Sequence, residues 1–266
     1  MARLRAADAA KRRERADGAD FLEALARGIS VMTAFNGERR QMTLSDVARA
    51  TDLPKASVRR ALHTLVSLGF IESDGRLFRM TPKVLTLATA YLTSNSISTV
   101  VQPLCERISA KVVEACSVAV LDREEVVMIA HASPPRFIAV APGVGFRLPA
   151  YCTSLGRVLL AAMPDGMLDT YLERLDAAPQ TEYTVTDKRK LRDAIVTARG
   201  HGFSFVDQEA EIGFRSVSVP LKRYDGVVVA ALNIGARIER ASVETMLGTY
   251  LPLLRAEADK LHPQLI

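Results

Sequence analysis

The sequence predicts an α+β protein of two domains, a small N-terminal unit of three helices and a hairpin followed by a larger unit built on an antiparallel sheet. Three observations carry this expectation. Apolar residues recur at helical spacing in three short segments before residue 70, and two alternating segments then flank an Asp-Gly pair. Beyond about residue 115 the apolar strands come in adjacent pairs rather than in alternation with helices. With 266 residues, 48% hydrophobic and 24% charged, the chain has material for two globular domains and is neither disordered nor fibrous.

The first helix is predicted from Phe21, Leu25, Ile29 and Met32, behind Asp20 as N-cap and ending at Asn36-Gly37. The second starts at Thr43, with Asp46 placed three residues on to complete a capping box, and breaks at Thr51-Asp52. Pro54 suits the first turn of a third helix, because its missing N–H has no partner there in any case. That helix runs through Val58, Ala61, Leu62, Leu65 and Val66 to Gly69. Phe70-Ile71-Glu72, the turn Ser73-Asp74-Gly75 and Arg76 to Met80 then make a hairpin. Three helices followed by such a hairpin is the plan of a winged helix-turn-helix.

Charge supports that plan. Residues 1–83 hold 16 Lys+Arg against 10 Asp+Glu, whereas the remainder holds 19 against 20. An excess confined to the first third points to a polyanionic partner there, or to a solvated basic tail, since residues 1–15 alone carry six basic and two acidic side chains. Helix three decides between them. Its apolar back leaves Lys55, Ser57, Arg59, Arg60 and His63 on the outer surface, and residues 53–63 contain no acid. A helix in the major groove needs such a face of donors for phosphates and base edges. Thr43, Ser45 and Ala56 join the expected DNA-facing set, and Arg76 and Arg79 extend it along the hairpin.

Thr81-Pro82 caps a further helix with Val84, Leu85, Leu87 and Tyr91 on one stripe, which either packs a dimer or packs internally. Beyond Ser98 the sequence predicts a helix through Val101, Leu104, Ile108 and Val112, and strands at 116–122, 125–131, 137–140, 203–206, 216–221 and 227–234. Helices are expected at 155–162, 187–200 and 243–261, and a turn at Gly143/Gly145. Two polar segments interrupt these elements. Tyr151, Cys152, Thr153, Ser154, Leu155 and Gly156 lead a loop into a helix, whose free N–H groups and hydroxyls make an anion site or whose Thr153 is only an N-cap. Residues 206–216 place Arg215 and Ser216 beside a ligand with Asp207 or Glu209 holding the loop, or form a solvated turn.

Other classes lack support. No apolar stretch is long enough for a membrane span, and the N-terminus has no apolar signal region, so a cytoplasmic protein is expected. Cys105, Cys116 and Cys152 read as reduced thiols, and no metal or cofactor motif is present. An alternative is a hydrolase or transferase using Cys152 or Ser154 with His131 or His201. Ser154, however, lacks the glycine two positions before it that a nucleophile elbow requires, and neither histidine has a partner visible in the sequence. An enzyme is therefore not expected.

Four segments, FLEALARGISVMTAF, LSDVARATDLPKASVRRALHTLVSLGF, LPAYCTSLGRVLLA and VDQEAEIGFRSVSVP, together resemble the IclR family of bacterial transcription regulators. The resemblance runs from about Asp20 to Leu261 and is strongest to the subgroup whose inducers are 4-hydroxybenzoate, protocatechuate or β-ketoadipate. It implies a basic tail (1–19), a winged helix-turn-helix domain (20–81), a linker helix (82–97) and a GAF-like effector domain (98–266). It also implies a homodimer that often pairs into tetramers, double-stranded DNA with an inverted repeat as partner, and no cofactor. A small carboxylate would sit at the helix start Thr153–Gly156, lined by Ser216 and by acids of the loop holding Asp207 and Glu209. The family often has Cys where Ser216 stands and Asp where Val206 stands.

Overall fold

The computed structural model of the protein describes residues 21–94, 96–134 and 143–265. The expected tail, the Asp20 cap and the expected strand 137–140 lie outside the described residues. The chain divides between Tyr91 and Leu92 into two compact units.

The N-terminal unit contains α1 (Glu23–Thr33), β1 (Met42–Thr43), α2 (Leu44–Thr51), α3 (Lys55–Ser67), β2 (Ile71–Ser73) and β3 (Leu77–Met80). The capping box forms as expected. Thr43 Oγ1 accepts the Asp46 N–H, and the Asp46 carboxylate accepts the Thr43 N–H at 3.1 Å. Asp52 closes α2 in the left-handed conformation, and Gly69, also at positive φ, follows α3. Pro54 takes the N-cap position of α3 instead of its first turn. The hairpin gains a third strand that the sequence reading missed. Met42 and Thr43 pair antiparallel with Phe78 and Leu77, giving the order β1-β3-β2.

The core of this unit is Val31, Met42, Val47, Val58, Leu62, Leu65 and Ile71. Of the expected stripe of α1 only Met32 packs against the core. Phe21, Leu25 and Ile29 are exposed, and Val31 and Ala34 enter the core. A turn of Pro82–Val84, capped by Thr81, leads into α4 (Leu85–Ser94), none of whose side chains is buried.

The second unit begins with α5 (Ser96–Val112), β4 (Ala115–Asp122), β5 (Glu125–Ala132), β6 (Arg147–Pro149) and α6 (Ser154–Ala161). It continues with α7 (Asp165–Arg174), α8 (Lys188–His201), β7 (Ser204–Asp207), β8 (Phe214–Lys222) and β9 (Val228–Arg237). The closing helix keeps its expected span but has three parts: Val243–Thr245, a π-helical turn at Met246–Tyr250, and α9 (Leu251–Leu261). Strand β6 and helix α7 were not foreseen. Six antiparallel strands lie in the order β6-β5-β4-β9-β8-β7. One face packs on α5 and α9 through Leu104, Ile108, Val118, Val217, Leu232, Ile234 and Leu254. The other is covered by α6, with α7 and α8 outside it, through Ala119, Val126, Leu155, Leu160, Leu168, Leu191 and Ile195. The three cysteines are free and buried. Among the described residues no single helix is long and apolar enough to cross a membrane, and no cluster of potential metal ligands occurs.

Candidate nucleic-acid interface and effector site

The outer face of α3 is as the sequence predicts at Lys55, Ala56, Arg59, Arg60 and His63, all exposed. Among the described residues no carboxylate lies within ion-pair distance of the three cations. Their charge is therefore free for a polyanion. Ser57 is a correction. It is buried on the side of α3 that meets α1, where its hydroxyl accepts a 3.1 Å hydrogen bond from Arg27, itself paired with Glu23. Thr43 is another, because the capping box engages its hydroxyl both ways: it accepts from the Asp46 N–H and donates to Asp46 Oδ2 at 2.7 Å. Ser45, half-buried in the first turn of α2, remains beside it. On the hairpin Arg76 is exposed, but Arg79 donates to Glu72 at 2.7 Å, because the register places the two directly opposite.

In the second unit, residues from five strands and α6 meet on one sheet face. The loop before α6 packs tightly: a Cβ on Gly156 would lie 2.1 Å from the Ala150 carbonyl oxygen, so only glycine fits. Thr153 is the N-cap, accepting the Gly156 N–H at 3.1 Å while its hydroxyl donates to Pro149 O at 3.1 Å. One of the two expected anion-site hydroxyls is thus turned to the backbone.

Ser154 enters a buried polar cluster. Its Oγ lies 2.7 Å from both Ser216 Oγ and Ser218 Oγ and accepts from Asn233 Nδ2 at 3.1 Å. The structure thus brings Ser154 and Ser216 together, as the resemblance implied, and adds Ser218 and Asn233, which the sequence reading missed. Polar residues within the otherwise apolar SVSVP and AALNIG were the signal for both.

The remaining expected residues act as supports. Arg215 reaches Asp207 with two 3.2 Å contacts and Ala241 O with a third, so it is bound within the protein and not beside a ligand. Glu209 is buried in a two-pronged pair with Arg157, at 2.7 and 2.6 Å, and accepts the Val185 N–H at 3.0 Å. Arg157 also donates to Tyr151 O at 2.9 Å, joining this pair to the α6 loop. Arg157 escaped notice in the sequence, although a lone cation inside the apolar SLGRVLLA demands a buried partner.

Tyr151 is held by Ala178 O and Gln180, and Leu155 lies in the core. Burial, reinforced by Glu209 and opposed by Arg157, pushes the Cys152 thiol up to about 11. It is protonated at neutral pH and suits a wall rather than a nucleophile. His201 stacks on Phe203.

Known proteins agree with this architecture. Residues 24–75 match the IclR helix-turn-helix domain, and residues 89–262 match the bacterial transcriptional regulator IclR C-terminal domain. The Pca regulon regulatory protein of Pseudomonas putida is 43% identical over 92% of this chain and 85% of its own length. A transcriptional regulator from Rhodococcus sp. RHA1 superposes with a TM-score of 0.81 at 43% identity, covering 92% of this chain and 98% of that one. An IclR homolog of Microbacterium hydrocarbonoxydans, crystallised with 4-hydroxybenzoate, has a TM-score of 0.75 at 26% identity, covering 91% and 98%. The matches are to regulators and not to enzymes, and the chain belongs to the IclR family of bacterial transcriptional regulators.

Proposed function

We propose that this regulator binds an inverted-repeat operator as a homodimer and responds to an aromatic carboxylate, controlling genes for aromatic-acid breakdown. The observation that carries the DNA half is the face of α3, where Lys55, Arg59 and Arg60 are exposed and unpaired among the described residues. Two such helices fit successive major grooves about 34 Å apart. Arg76 and the half-buried Ser45 supply backbone contacts, and the basic tail 1–19 adds a further polycation. Dimerisation through α1 and the linker helix (82–97) is supported by Leu25 and Ile29 on α1 and by Leu85 and Leu87 on α4, which expose 53–63% of their surface in the single chain.

The effector half rests on the buried cluster of Ser154, Ser216, Ser218 and Asn233, whose donors suit a carboxylate, and on the relative that binds 4-hydroxybenzoate. Such an acid shifts operator occupancy only as far as its affinity differs between the binding-competent and incompetent states.

Gel-shift titration across salt tests the first half. Affinity should fall steeply with ionic strength, and Arg59→Ala should weaken binding and reduce the slope by about one; an unchanged slope refutes the assignment. Thermal-shift screening against aromatic and aliphatic acids tests the second, since a ligand of the folded state raises the Tm.

A further inference from the structure

Strand register aligns a polar row across the sheet. His131 of β5 pairs with Ser117 of β4, Ser117 with Asn233 of β9, Asn233 with Ser218 of β8, and Ser218 with Ser204 of β7. Directly opposed residues share a face, so all five side chains emerge on the side that α6 covers. Ser154 sits over the middle of the row through Asn233 and Ser218. At one end of the row His131 Nδ1 lies 2.9 Å from Ser117 Oγ, and its Nε2 is shielded from solvent with no hydrogen-bond partner among the described residues.

Among the described residues Ser98 Oγ and the Tyr171 hydroxyl are also shielded without partners, but neither belongs to this row. A buried nitrogen without a partner loses its hydration with nothing in return and calls for an explanation. The backbone of His131 is fixed as well. Gln102 receives its N–H and donates to its carbonyl, both at 3.1 Å, which holds the ring in place.

The geometry points to His131 Nε2 as the group that recognises a hydroxyl on the effector's ring, at the end remote from its carboxylate. This rests on the aromatic-acid reading above. Asn233 and His131 stand two strand spacings apart, with Ser117 between them, roughly 10 Å between backbones, a span that matches one aromatic ring with a polar group at each end. The adjacent row on the same face, Ala119 opposite Ala231, is small and apolar, as a flat ring requires.

Burial lowers the affinity of the His131 ring for a proton, so it is neutral. In one tautomer Nε2 donates and in the other it accepts. A hydroxyl answers both, whereas the second carboxylate of an aliphatic diacid answers only the donor. The preferred class is therefore a hydroxylated aromatic monoacid.

Calorimetric titration of the full-length protein with benzoate, 4-hydroxybenzoate and adipate tests this. 4-Hydroxybenzoate should bind at least tenfold more tightly than benzoate and adipate. His131→Phe should erase the preference while leaving benzoate affinity within about twofold, and His131→Gln should restore part of it.

Equal affinities in the wild type, as when an ordered water already satisfies Nε2, overturn the assignment but leave the aromatic-acid reading standing. A preference that survives His131→Phe does the same. Binding of none of the three overturns both. In the unsubstituted protein labelled with 15N-histidine, the Nε2 resonance should move with 4-hydroxybenzoate and not with benzoate, a readout independent of whether the variants fold; a resonance that both acids move equally counts against the role.

Discussion

The guanidinium of Arg157 meets the carboxylate of Glu209 in two parallel hydrogen bonds of 2.7 and 2.6 Å, with both side chains largely shielded from water. One partner stands on α6 and the other follows β7, so the pair fastens the helix that carries Ser154 to the loop beyond the sheet edge. A buried pair costs most when half of it is removed. Arg157→Met or Glu209→Met should each destabilise the protein by about 3–5 kcal/mol, and the double replacement should recover much of that. Urea unfolding of the four proteins measures it.

Gly156→Ala should destabilise by upwards of about 2 kcal/mol, because the new methyl meets a backbone oxygen 2.1 Å away and not a movable side chain. The displacement also shifts Ser154, so ligand affinity should fall more than the melting temperature alone explains. Thermal unfolding and calorimetry of the same variant separate the two effects.

The Thr43 cap should show itself in acid. Hydrogen bonds from the Thr43 hydroxyl, then from its backbone N–H, hold the Asp46 carboxyl below its ordinary 3.8. A depressed carboxylate contributes stability that is complete above the unfolded value and is lost as pH falls through the folded one. Thr43→Ala should cost about 1 kcal/mol near neutrality. Its difference from wild type should shrink below pH 3.8, as denaturant titrations at a series of pH values would show.

Ile29→Glu should yield a monomer by sedimentation and weaken operator binding severalfold or more, while far-UV circular dichroism stays unchanged. The side chain is exposed in the single chain, so its replacement costs the monomer little. A dimer that persists places the contact elsewhere.

Local signals were the most legible in the sequence. The Thr43/Asp46 box and the acid-free face of α3 depend on residues a few positions apart, and each forms as expected. Periodicity finds an apolar stripe but not what covers it, which is why α1 turns Leu25 and Ile29 outward while Val31 fills the core. Ser57 turns inward and Arg79 pairs on the surface because of partners 30 and 7 residues away, Arg27 and Glu72. The effector face depends on strand register. Ser117, His131, Ser218 and Asn233 become neighbours only once β4, β5, β8 and β9 are ordered, and no spacing within the chain encodes that row.

The amide of Gln102 also serves the sheet itself. Strand β6 pairs with β5 from Glu125 to Val127, and the Met128 backbone bonds on to Phe146 and Gly145. Farther along β5, one side chain from α5 takes both the N–H and the C=O of His131, as a neighbouring strand's backbone would. Those two groups are thereby closed to edge-to-edge pairing with a second sheet, by a residue that does so without lengthening the strand.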